Sequence, residues 1–129
     1  MTKLKSCVCI TNLKNNEIIA EKCVVADSFF VRLKGLIGKK ELKQGDGMLF
    51  PSCNSIHMWF MRFSIDVIFA IERKSSENQR LLVVNSIHSN VPAWKILPLS
   101  DLSATHTIEV PSGVAQALSL TKGDTLCIS

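Results

Sequence analysis

Short apolar segments closed by turn signals constrain this chain more than any other feature. About seven or eight of them run along the sequence, at residues 6–12, 17–25, 48–50, 56–62, 66–72, 80–86, 105–110 and 125–128. Most are rich in Val, Ile, Leu and Phe, which suit a pleated, half-buried surface. Between them lie Lys14 to Asn16, Gly45-Asp46-Gly47, the neighbourhood of Asn78, and Lys122-Gly123-Asp124. Short strands joined by short turns favour an antiparallel arrangement over a parallel α/β sheet, which needs a long crossover at each step. The expected fold is mainly β, a small antiparallel sandwich or open barrel with two short helices.

The first helix is expected after Asp27 or Ser28, whose side-chain oxygens can accept the free N–H groups of a first turn. Phe29, Phe30, Leu33, Leu36 and Ile37 then recur at helical spacing, and Gly38 is a suitable stop. The second is expected near residues 114–118. Residues 87–103 hold His88, Pro92, Trp94 and Pro98 without periodicity and read as a long loop.

Length sets the domain count. The 129 residues suit one domain, 1–129, and at 47% hydrophobic content they can build a core without a metal or disulfide framework. No apolar run approaches the roughly 20 residues of a membrane-spanning helix. Lys3 and Lys5 could begin a secretory signal, but Asn12, Lys14, Asn15 and Asn16 interrupt the apolar stretch that must follow. A cytoplasmic, monomeric protein is therefore expected. Five cysteines, an odd number with no CxxC pair, fit reduced thiols; Cys7 and Cys9 are expected on one strand face in the core. The net charge of +4 comes largely from Arg32, Lys34, Lys39, Lys40 and Lys43. Without interleaved aromatics or a nucleic-acid motif, that cluster reads as a solvated helix face and polar loop. No nucleic-acid or membrane partner is expected.

Chemistry concentrates between Cys53 and Asp66, where Cys, His, Arg and Asp are packed among large apolar side chains. Strand alternation sends His57, Trp59 and Met61 to one face and Met58, Phe60 and Arg62 to the other. Arg62 and Asp66 flank a bend at 63–65 and can meet there as a charge-assisted pair. That pair either pins the bend or forms an anion site in which Asp66 orients the guanidinium. Cys53 and His57 offer a nucleophile–base pair or two zinc ligands. The plainer reading is a packed thiol beside a histidine bonded to a backbone carbonyl. His88 and His106 are the remaining histidines, and no local spacing brings them to this pair, so no metal or cofactor is expected. Trp94 and Lys95 supply a stacking surface and a charge, or plug the end of the fold. Glu109 reads as an exposed position or a turn anchor.

Several of these segments together resemble the domain-of-unknown-function family 192. The matching stretches are Arg32-Leu-Lys-Gly-Leu36, Gly47-Met-Leu-Phe50, the run from Cys53 to Phe69, Pro92 with Trp94-Lys95, Ile108-Glu-Val-Pro-Ser-Gly113 and Gly123-Asp124. The resemblance spans about residues 20–128 and implies a small β domain with no assigned activity. Two departures stand out. Ser64 occupies a position where many relatives have proline. Pro92-Ala93-Trp94-Lys95 replaces Pro-Trp-Arg, putting a point charge where a two-pronged donor would sit.

The functional expectation is a small-ligand or polar-peptide binding module with an anion-preferring groove. Its candidate residues are Cys53, His57, Arg62, Asp66, Trp94 and Lys95, and its partner a small anionic ligand or polar peptide. The alternatives are a thiol or metal enzyme built on Cys53 and His57, and a protein-interaction domain around Trp59 and Phe60.

Overall fold

Strand alternation decides the architecture. The computed structural model describes residues 7–26, 42–56, 63–93 and 99–129. Nine strands are described: β1 (Cys7–Asn12), β2 (Ile18–Val25), β3 (Asp46–Pro51), β4 (Ser55–Ile56), β5 (Ile65–Lys74), β6 (Arg80–Val91), β7 (Leu99–Ser100), β8 (His106–Pro111) and β9 (Thr125–Ile128). A single-turn helix, α1, spans Val114–Ala117. Seven strands close a barrel in the order β1-β2-β3-β8-β5-β6-β9, while β4 and β7 form a separate two-stranded ribbon.

The mainly β expectation holds, and the barrel is closed, which leaves no unpaired strand edge in its wall. All its pairings are antiparallel except β2 with β3. A parallel pair cannot be joined by a tight hairpin, unlike the antiparallel neighbours. The second expected helix is α1; the first, after Asp27, falls outside the described residues.

The barrel wall has two apolar faces. Inward-pointing Ile10, Leu49, Ile68, Leu82, Ile108 and Leu126 form the interior core. The alternate residues of β3 and β5, including Met48, Phe50, Ile65, Val67 and Phe69, form a second core on the outside, with Ile56, Val91 and Ala104. The first six residues of β5 and most of β8 are buried on both faces, so their sequences run largely apolar rather than alternating. In β1 the inward positions are Val8 and Ile10. Cys7 is therefore exposed and Cys9 half-buried, and the core thiol is Cys23. Burial, with Cys7 and Cys9 nearby, pushes that thiol up to about 12.

Residues 87–91 continue β6 rather than opening a loop. Two register shifts against β5 hide this in the sequence, one between Phe69 and Ala70 and one between Ile65 and Val67. Each bulge resets the alternation that sequence reading relies on. At the first, Asn85 and Ser86 both turn to one acceptor, the Asp101 carboxylate, at 2.8 and 2.6 Å. At the second, Asn90 takes a left-handed backbone, φ 53°, which asparagine tolerates better than most residues.

Gly47 permits the close approach of β2, β3 and β8. A Cβ there would lie 3.0 Å from the Ala20 Cβ and 3.2 Å from the Glu109 carbonyl oxygen. Neither neighbour can rotate away, so Gly47→Ala is expected to cost about 1–3 kcal/mol. Urea denaturation measures this, and an unchanged midpoint would mean the parallel pair has slack.

Candidate functional site

The outer face of β3, β8, β5 and β6 presents two rows across the strands. Phe50, Thr107, Phe69 and Ser86 are cross-strand neighbours in one row. Met48, Glu109, Val67 and His88 are neighbours in the next. Direct cross-strand partners share a face, so Glu109 lies between Met48 and Val67, with His88 one strand further on. The His88 ring stands edge-on to Phe69, 5.6 Å between centroids.

Cys53 is tied to this face from above. Its N–H donates to the Thr105 carbonyl at 3.0 Å, and its own carbonyl accepts the Thr107 hydroxyl at 2.7 Å. The thiol donates to the Ser55 carbonyl at 3.2 Å. The ribbon of β4 and β7 follows, pinned by a 2.9 Å contact between the Ser55 and Ser100 hydroxyls. Asp101 next to it is held below the usual carboxylate range by the Ser86 hydroxyl, then by Asn85, the Ser103 N–H and the charge of His88, against the opposing effect of burial.

Glu109 is the exception in this layer. It is 5% exposed, and its Oε2 is buried without a hydrogen-bond partner. Burial pushes its carboxyl up to about 8, so the side chain holds a proton at neutral pH. Among the described residues, its cross-strand and diagonal neighbours on the same face carry no charge: β3 gives Met48 and Phe50, and β5 gives Ile65, Val67 and Phe69. The reading of Glu109 as an exposed position or turn anchor is therefore corrected. β8 runs between β3 and β5, with no edge facing solvent. Its sequence carried a signal: Thr107-Ile-Glu-Val110 keeps an apolar or β-branched residue on both sides of the glutamate, as a strand buried on both faces does.

Asp66 sits on the other side of the wall. It is fully buried and faces the barrel interior beside Val110. Its Oδ1 accepts the Asn90 N–H at 2.8 Å, and its Oδ2 accepts the N–H groups of Gly113 and Ala115 at 3.1 and 3.0 Å. Gly113 is the N-cap of α1, with φ 93° and no side chain to cap with. A strand aspartate thus does the capping from a distance.

Cys53 and Asp66 are therefore not brought together; they lie on opposite faces of the barrel wall. His57, Arg62, Trp94 and Lys95 fall outside the described residues, and with them the Arg62–Asp66 pair and the Cys53–His57 pair. His88 and His106 are also divided, since His106 pairs with Ala70 on the inner face while His88 is outside. Among the described residues, no group of three or more His, Cys, Asp or Glu side chains is placed to hold a metal ion. No helix among them is long and apolar enough to cross a membrane. An open groove of about 670 Å³ lies elsewhere, lined by Lys14, Arg73, Lys74 and Asp124 among others. There Asp124 is engaged by Lys14 at 3.1 Å and by Asn12 at 2.9 Å.

Residues 10–128 match the model of the DUF192 family, described as "Uncharacterized ACR". The chain belongs to the DUF192 family. Two solved structures are similar to this DUF192 domain. One, from Novosphingobium aromaticivorans DSM 12444, is a protein of unknown function, 21% identical over 95% of this chain and 84% of that one, with a TM-score of 0.72. The other, from Sinorhizobium meliloti 1021, is described as a "putative transcription regulator"; it is 17% identical over 98% of this chain and 95% of that one, with a TM-score of 0.76. At these identities the likeness shows the shared fold. No functionally curated protein matches the sequence.

Proposed function

We propose that this DUF192 domain is a small-ligand or polar-peptide binding module, with its groove on the outer face of β3, β8, β5 and β6. One observation carries the reading: the Glu109 Oε2, buried and unpartnered in an apolar layer. An unsatisfied buried polar group costs about 1–3 kcal/mol, and a ligand that bonds this oxygen removes that cost. His88, half-buried beside Phe69, adds a second polar group to the same face.

The preference for anions belongs to the same proposal. Glu109 is uncharged at neutral pH and so does not repel an anion. Arg62 and Lys95 would supply the positive charge and Trp94 a stacking surface. Asp66 takes no part, because its carboxylate caps α1 and the β6 bulge from inside the barrel.

The test is amide NMR of the protein titrated with small carboxylates, inorganic phosphate and short acidic peptides. Shifts are expected at Met48, Val67, His88 and Glu109. Arg62→Ala should remove them while circular dichroism and the melting temperature change little. An Arg62→Ala protein that unfolds would show the arginine to be structural. An absence of shifts with every probe would remove the binding reading.

A further inference from the structure

The ligand's chemistry follows from how the site is built, and this step rests on the binding reading above. Glu109 enters from the middle of the sheet, flanked by Met48 on β3 and Val67 on β5. Among the described residues, the titratable groups on the same face of adjoining elements are His88, beyond Val67, and Cys53, whose thiol already donates to Ser55. Among the described residues no cation reaches the Glu109 carboxyl, and its Oε2 has neither donor nor acceptor opposite it.

We propose that Glu109 is a ligand-binding residue that donates its carboxyl proton to a carboxylate of the ligand. The pairing is a single O–H···O⁻ hydrogen bond, which is shorter and stronger than one between neutral groups. It adds one negative charge to the layer, whereas an ionised Glu109 facing a carboxylate would add two. A cationic ligand would need Glu109 ionised first, in surroundings that favour the neutral acid: burial holds its carboxyl near 8. Ketosteroid isomerase is an established example of a carboxylic acid kept neutral by an apolar site so that it can donate.

Proton donation fixes the pH dependence. Acetate stays ionised throughout the range from pH 6 to 9, so any loss of its binding across that range belongs to the protein. The donor is present below about 8 and gone above it. Binding should weaken about tenfold between pH 7 and pH 9, as the protonated fraction falls.

The experiment is an NMR titration with acetate, acetamide and methylammonium at pH 6, 7, 8 and 9. It follows the outer-face amides and the Glu109 side-chain carboxyl carbon. Acetate is expected to bind best at pH 6 and to raise the pH at which Glu109 titrates. Glu109→Gln should keep acetate binding, because its amide N–H replaces the O–H donor, and should lose the pH dependence. Glu109→Leu should fold and lose acetate at every pH. His88→Gln and Cys53→Ser should keep the slope, showing that neither group is its source. Methylammonium binding that strengthens as pH rises would overturn the donor assignment and leave the small-ligand reading standing. Acetamide binding without acetate would do the same. Acetate binding equal in wild type and Glu109→Leu would overturn it too. Silence of every outer-face resonance with all three probes would overturn both.

Discussion

Asp66→Ala is expected to destabilise the protein by about 3–6 kcal/mol, the largest effect of any single substitution considered. The carboxylate accepts three backbone N–H groups at 2.8–3.1 Å and is fully buried. Each donor left without a partner in the interior costs about 1–3 kcal/mol. The removed side chain also leaves a void that the interior cannot close completely. The three donors come from two elements, the bulge of β6 and the turn leading into α1, so both should loosen together. Asp66→Asn keeps the shape and one acceptor oxygen but turns an NH₂ group toward backbone donors, and should recover only part of the loss. Urea denaturation at neutral pH measures the change, and amide hydrogen exchange at Asn90, Gly113 and Ala115 localises it. A loss below about 1 kcal/mol would mean that water takes the carboxylate's place at no cost, and the capping role would fall.

Asp66 also shows how far the sequence was legible. Its place at the start of a strand follows from reading the residues, which leave its role open between pinning the bend and orienting Arg62 in an anion site. Its partners do not follow. Two of them lie 47 and 49 positions away, and the third sits in a bulge that local periodicity conceals. The strands themselves were legible where alternation or continuous apolar runs persisted, as in β1, β2, β5, β8 and β9. Reading failed where alternation broke, at Asn85 and Asn90, and β6 was cut short there. Barrel closure was not legible, because it depends on β9 meeting β1 and on a parallel β2–β3 pair, both long-range choices.

The site was legible in part for the same reason. Cys53 opens the segment in which Cys, His, Arg and Asp concentrate, and it does lie over the outer face. Glu109 reads in the sequence as an exposed position or turn anchor because a single glutamate at a strand end is ordinarily solvated. What buries it is the flanking of β8 by β3 and β5, a matter of strand order. Residue type alone therefore drew attention to the Cys53–Asp66 segment, while topology divides Cys53 from Asp66 and brings in Glu109 and His88.

The burial of Glu109 has a second large consequence, in the pH dependence of stability. Its carboxyl titrates at about 8 in the fold, against 4.5 for the free group. Between those values the unfolded chain has released the proton and the folded chain still holds it. The folded state then binds more protons, so stability falls as pH rises, by a little over 1 kcal/mol per pH unit. The fall starts near 4.5, ends near 8, and totals on the order of 5 kcal/mol. His106 acts in the opposite direction lower in the range. Burial lowers its pKa from 6.5, so its contribution is lost as pH falls below that value and is complete above it. The Cys23 thiol enters only above 9.0, where the unfolded thiol ionises and the buried one does not. Among the described residues, the interval from about 6.5 to 8 therefore belongs to Glu109. In Glu109→Gln the carboxyl is gone and the slope in that interval should vanish. The two proteins should differ least near pH 5, and by pH 8.5 the glutamine variant should have gained on the order of 4 kcal/mol relative to wild type. Subtracting the two denaturation series removes His106, which both share. Parallel curves from pH 5 to 8.5 would show that Glu109 is ionised and solvated in the folded protein. The proton it is proposed to donate to a ligand would then not be there.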